Sequence, residues 1–72
     1  MKKAIISELT VIVPAYNEEK KIEKCVNEIV NFCTSQNFDY EIIITEDGST
    51  DNTVDIITRL KATNTRIKVL AS

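Results

Sequence analysis

Two short stretches of this chain hold the residue types best suited to recognising a ligand: Pro14-Ala15-Tyr16-Asn17-Glu18-Glu19 and Glu46-Asp47-Gly48-Ser49-Thr50-Asp51. A tyrosine ring offers a flat face on which a nucleobase stacks, and a fixed carboxylate accepts hydrogen bonds from base N–H or ribose hydroxyl groups. Tyr16 and Asp47 are the candidates for those two tasks. The chain has a single glycine, Gly48, which rules out both the G-x-G-x-x-G dinucleotide fingerprint and the glycine-rich phosphate loop of NTPases.

The elements around these stretches decide whether they meet. Leu9-Thr10-Val11-Ile12-Val13 is a β-branched run that predicts a first strand, stopped by Pro14 because proline cannot donate to a central ladder. From Glu18 onward, Ile22, Cys25, Val26, Ile29, Phe32 and Cys33 recur at spacings of three and four, the stripe of an amphipathic helix fading near residues 35–37. Asn17 is its expected N-cap, with Glu18 and Glu19 as favourable charges in the first turn. Tyr40-Glu41-Ile42-Ile43-Ile44-Thr45 predicts a second strand, nearly continuous in apolar character as in a sheet buried on both faces. Ser49, Thr50 or Asp51 then caps a second helix with Val54, Ile57 and Leu60 inward, and Ile67-Lys68-Val69-Leu70 follows as a third strand.

Strands alternating with helices predict an α/β fold, a Rossmann-like β-α-β-α-β unit with a three-stranded parallel sheet. In such sheets ligands sit beyond the carboxyl ends of the strands, and both motifs fall there. Crossovers stepping the same way place both helices on one face of the sheet and leave the other bare. That bare face and the unpaired edge of the first strand predict self-association, as a homodimer through one or the other.

Composition narrows the classes further. Seventy-two residues with a net charge of −2 predict one soluble globular unit, and a chain this small buries only about 60% of the surface its unfolded form exposes. Its basic residues are scattered, so there is no electrostatic footprint for nucleic acid, and Lys20, Lys21 and Lys24 read as a solvated helix face. No segment approaches the roughly 20 apolar residues of a bilayer span. Ser7 and Glu8 interrupt the apolar start before a signal sequence develops, which predicts a cytoplasmic chain, although a longer parent chain is compatible with membrane association. Cys25 and Cys33 lie eight positions apart on one predicted helix, about 12 Å by helical rise and out of disulfide reach. They are expected to be reduced and buried in the core. Without histidine or a close cysteine pair, no metal site is expected.

The two motifs together resemble family-2 glycosyltransferases of the GT-A fold, and the Pro-Ala-Tyr-Asn-Glu-Glu form is similar to the polyprenyl-phosphate type, such as dolichol-phosphate mannose synthases. The resemblance covers essentially the whole chain but only the first part of a family domain several times longer, so residues 1–72 are expected to be its N-terminal nucleotide-sugar-binding segment. It implies a UDP- or GDP-linked sugar donor, with Pro14 and Tyr16 lining the base, Asp47 bonding it, Glu18 contacting the nucleoside and Ala15 among the residues that bind the nucleotide-sugar. Where the family usually has Asp-Asp-Gly-Ser, this chain has Glu46 before Asp47. The family's metal-binding Asp-x-Asp, which holds Mg²⁺ or Mn²⁺ on the diphosphate, has no counterpart in this sequence, and its catalytic base is expected in the same later region. No catalytic residue, metal ligand or cofactor is therefore assigned within these residues, and the segment by itself is expected to be inactive.

A second reading keeps the fold without the chemistry, as a stand-alone module that associates with itself. A phosphorylated receiver-type domain is a third, weakened because the first strand lacks the acidic cluster such domains need.

Overall fold

The computed structural model describes residues 8–71. Three strands, β1 (Glu8–Ala15), β2 (Asp39–Glu46) and β3 (Ile67–Ala71), alternate with two helices, α1 (Ile22–Ser35) and α2 (Thr53–Thr63). The sheet is all parallel in the order β1-β2-β3, the Rossmann-like arrangement expected. The start of the chain, on which the reading of a signal sequence rests, lies outside the described residues.

Alternation along the strands sorts the side chains. Val13 and Ala15 of β1, Ile42 and Ile44 of β2 and Ile67 of β3 share one buried core with Ile22 and Val26 of α1 and Ile57 and Leu60 of α2. Both helices therefore cover the same sheet face. On the other face Ile12 (55% exposed) and Leu70 (59%) stay open to solvent, while Ile43, opposite Ile12 in the register, is half-buried. The second strand is thus fully buried on one face only, in contrast to the expectation of two.

The N-terminal ends of β2 and β3 are tied by Arg66. Its guanidinium donates to Asp39 Oδ1 at 2.7 Å and to the Tyr40 carbonyl at 2.8 Å, and it stacks 4.6 Å from the centre of the Tyr40 ring. This clamp sits at the end of the sheet away from both motifs.

Several local expectations change in the fold. The first strand does not stop at Pro14 but runs through it to Ala15, with Pro14 in register with Thr45. Proline is tolerated there because among the described residues β1 pairs only with β2, and a missing N–H on its outer side costs no bond of that ladder. The first helix begins at Ile22 and not at Glu18; residues 19–21 form a turn in which the Glu18 carbonyl accepts the N–H groups of Lys21 and Ile22. Both cysteines are free, but only Cys33 is buried, and Cys25 is exposed, because the helix stripe faces the sheet through Ile22, Val26 and Cys33. Phe32 and Val54, also expected to face inward, are exposed at 54% and 44%. The buried contact at the start of α2 comes from Thr53 instead.

Candidate functional site

The carboxyl ends of β1 and β2 are joined directly: the N–H of Asp47 donates to the carbonyl of Ala15 at 3.1 Å. This bond brings the two motifs side by side, and an open recess of about 480 Å³ forms there, lined by Pro14, Ala15, Tyr16, Glu18, Thr45 and Asp47. Every residue singled out for nucleotide recognition borders this one space. Their contributions differ. Tyr16 is 56% exposed and Asp47 is an exposed residue. Ala15 is buried in the core. Glu18 is half-buried, its N–H donating to Thr53 Oγ1 at 2.8 Å. A recess of equal size at the opposite end of the strands is lined by Glu8, Asp39, Glu41, Arg66 and Lys68 among others. Its charges are largely spent on one another, in the Arg66–Asp39 and Lys68–Glu41 ion pairs.

Below the recess, four polar residues act in ways that local preference does not reveal. Asn17 is not a helix cap. Its φ of +52° is a left-handed conformation that asparagine tolerates better than most residues, and it turns the residue towards the second loop. There its N–H donates to Ser49 Oγ at 2.9 Å and its Oδ1 accepts the Thr50 N–H at 2.8 Å. Glu19 is a helix-terminus charge, as expected, but for the other helix: its Oε1 accepts the N–H of Asn52, which flanks the start of α2, at 2.9 Å.

Glu46, the residue that departs from the resembled pattern, is only 8% exposed. Its carboxylate folds over its own loop and accepts the N–H groups of Gly48 at 2.7 Å and Ser49 at 3.0 Å. Gly48 makes that turn with φ +77°; nothing stands near the position of a side chain there, so the backbone angle is what selects glycine. Asp51, one of three expected caps, accepts the Thr53 N–H through Oδ1 and the Glu19 N–H through Oδ2, and Thr53 also donates its hydroxyl to Asp51. An acid after a strand followed by Gly-Ser is a sequence signal for such a turn; the partners across the chain have none.

These bonds shift acidities. Hydrogen bonding from Ser49, aided by its N–H and that of Gly48, holds the Glu46 carboxyl below its ordinary value of 4.5 against the opposing effect of burial. For Asp51 burial is the largest single influence and favours the neutral acid, but the bonds from Thr53 and Glu19 together outweigh it and hold the carboxyl below 3.8. A folded value below the unfolded one means that the unfolded chain binds more protons, so this contribution to stability is present above the ordinary range and is lost as pH falls through the lowered values. In an acid titration followed by amide NMR, the Gly48 and Ser49 resonances should report a midpoint below pH 4.5 and the Thr53 resonance one below pH 3.8. Midpoints at or above those values would contradict the assignment of these bonds.

The loop leaves little for an anion or a metal. The N–H groups of Gly48, Ser49, Thr50, Asn52 and Thr53 each donate to a side chain, so the start of α2 does not present the row of open donors that holds phosphate at many helix N-termini. Among the described residues no group of acids and cysteines gathers in a way that would hold a metal ion, and Glu19, Glu46 and Asp51 are committed to backbone N–H groups. The Mg²⁺ or Mn²⁺ implied by the resemblance is expected on an Asp-x-Asp motif, which this sequence does not contain.

Comparison with known proteins places the chain in a family. Residues 10–72 match glycosyl transferase family 2, a stretch that holds both motifs. The chain is 44% identical over 54 residues to a dolichyl-phosphate beta-glucosyltransferase of Drosophila melanogaster, covering 68% of this chain and 17% of that protein. It is 35% identical over 63 residues to a chondroitin synthase of Pasteurella multocida, covering 88% of this chain and 6% of the synthase. An undecaprenyl-phosphate 4-deoxy-4-formamido-L-arabinose transferase of Proteus mirabilis is 31% identical over 52 residues, 72% of this chain and 16% of that protein. The chain thus spans a small fraction of the length of these relatives, two of which are named for polyprenyl-phosphate substrates, the type its first motif resembles. On its motifs, its parallel α/β architecture and these similarities, the chain belongs to glycosyl transferase family 2.

Proposed function

We propose that these residues form the nucleoside-binding segment of a glycosyltransferase domain, holding the UDP- or GDP-linked sugar donor. The observation that carries this reading is the recess at the joined ends of β1 and β2, where Tyr16 and Asp47 border one space. Tyr16 stacks on the base with Pro14 beside it, Asp47 accepts from base or ribose, and Glu18 adds a second carboxylate at the rim. The names of the polyprenyl-phosphate relatives support a lipid-linked phosphate as the acceptor. Leaving-group stabilisation and acceptor deprotonation need groups beyond these 72 residues, so the segment binds donor without transferring sugar. No described helix is long and apolar enough to cross a membrane.

Titration with UDP and GDP, followed by amide NMR, tests the reading. Saturable shifts at Tyr16 and Asp47 are expected, with Asp47→Ala weakening the response by about tenfold or more, the loss of one charge-assisted hydrogen bond. No shift up to millimolar nucleotide, or an unaltered response in Asp47→Ala, would sink it.

A second reading, self-association, is favoured by the exposure of Ile12 and Leu70 on the sheet face without helices and by β1, which among the described residues pairs only with β2. Two copies meeting through that face or along the β1 edge would cover apolar surface and open ladder groups together. Sedimentation at micromolar concentration should show a dimer, and a non-associating monomer removes this reading while leaving the binding site intact.

A further inference from the structure

We propose that Asn17 and Glu19 are positioning residues for the nucleoside site, forming a latch that sets the spacing between Tyr16 and Asp47. The inference rests on the nucleoside reading of the recess. Its physical basis is the reciprocity of the bonds joining the two loops. Asn17 donates its N–H to Ser49 Oγ and accepts the Thr50 N–H at Oδ1. Two residues on, Glu19 donates its N–H to Asp51 Oδ2 at 3.3 Å and accepts the Asn52 N–H at Oε1. Between them Glu18 donates its N–H to Thr53 Oγ1. The two loops are zipped residue by residue across a separation of 32 to 35 positions in the chain.

The zip lies directly behind the two groups that need fixing. Tyr16 precedes Asn17, and Asp47 stands two residues before Ser49. On their other side the Asp47 N–H is held by the Ala15 carbonyl. Ring and carboxylate therefore sit on short segments anchored at both ends. A flat ligand read by stacking on one group and hydrogen bonding to the other gains affinity when their separation is set before it arrives, because less ordering remains to be done on binding. The left-handed backbone of Asn17 lets the residue's N–H and side-chain oxygen both reach the opposite loop. Asn17 is itself exposed and lies outside the apolar core, so its contribution to folding is small beside its effect on the loops.

Substitutions at Asn17 separate the bond from the backbone angle. Glycine keeps the positive φ and removes the Oδ1 acceptor; aspartate keeps both an acceptor and tolerance of the angle. In the 72-residue chain, Asn17→Gly should lower the NMR order parameters of the Tyr16 and Asp47 amides from the roughly 0.85 of rigid backbone towards 0.6. It should also flatten the initial UDP or GDP shift response by about tenfold, and move the thermal midpoint by less than about 4 °C. Asn17→Asp should restore order and response. Glu19→Ala should act like Asn17→Gly, with Glu19→Gln, which retains Oε1, close to the parent. Combined with Asp47→Ala, Asn17→Gly should add no further loss of binding. Unchanged order parameters in Asn17→Gly, a loss that Asn17→Asp does not restore, or strictly additive losses with Asp47→Ala would each overturn the proposal. If the parent chain responds to neither nucleotide, the nucleoside reading falls, and the latch is judged on the order parameters and their rescue alone.

Discussion

Ile44→Ala should remove a large share of the stability of this fold, bringing the weakest end of its range close to unfolding. Ile44 is fully buried in the central strand, in register with Val13 of β1 and Val69 of β3, so the fold cannot close the space by moving one edge. Truncating a buried isoleucine costs about 2–5 kcal/mol from lost transfer free energy and the cavity left behind. A domain of this length has in total only roughly 4–10 kcal/mol to lose. Urea denaturation followed by far-UV circular dichroism measures the cost. The control is Ile12→Ala, on the opposite face of the same sheet and more than half exposed, which should change stability by less than about 0.5 kcal/mol in the monomer. A loss below about 1 kcal/mol for Ile44→Ala would contradict the assignment of the helix-covered face as the core. A large loss for Ile12→Ala would instead mean that the bare face is covered in solution, as the dimer requires.

The second large effect is expected at Thr53, where the fold and the site meet. Its side chain is fully buried; the hydroxyl accepts the Glu18 N–H at 2.8 Å and donates to Asp51. Thr53→Val preserves shape and burial but leaves the Glu18 N–H without its acceptor and removes one donor from Asp51. An unsatisfied buried partner costs about 1–3 kcal/mol, so a loss near 2 kcal/mol is expected, larger than for any exposed member of the latch. Asp51 keeps the Thr53 and Glu19 N–H groups, so the second loop should loosen without collapsing. Denaturation gives the stability, and hydrogen exchange at Glu18 supplies an independent reading: its amide should lose protection in Thr53→Val. Retained protection with little change in stability would mean that the hydroxyl has no structural part.

The core behind the first effect is largely legible in the amino-acid sequence. The buried run around Ile44 and the periodic apolar positions of the two helices follow from nearest-neighbour geometry, because a strand repeats every two residues and a helix every 3.6. The same geometry puts Ser35 near the end of α1 and Ile57 and Leu60 inward on α2, as the fold has them. It also points Cys25, Phe32 and Val54 inward, where the fold leaves them exposed, since periodicity defines a stripe but not how much of the stripe a three-stranded sheet is wide enough to cover. Pro14 misleads for a related reason: whether proline ends a strand depends on whether that strand is an edge, which sheet order decides.

The polar residues divide most sharply. That two ligand-suited motifs lie at strand ends facing one crevice follows from the order of elements alone, because parallel strands present all their carboxyl ends on the same side. Which atom each polar group meets does not. Asn17 has the chemistry to cap the helix beside it and instead bonds residues 49 and 50; Glu19 neutralises the start of the other helix; Glu46 turns inward over its own loop. Periodicity and chain order are carried by neighbouring residues and can be read from the sequence. Hydrogen-bond partners are chosen by closeness in space, and only the paired strands bring residues more than thirty positions apart within reach.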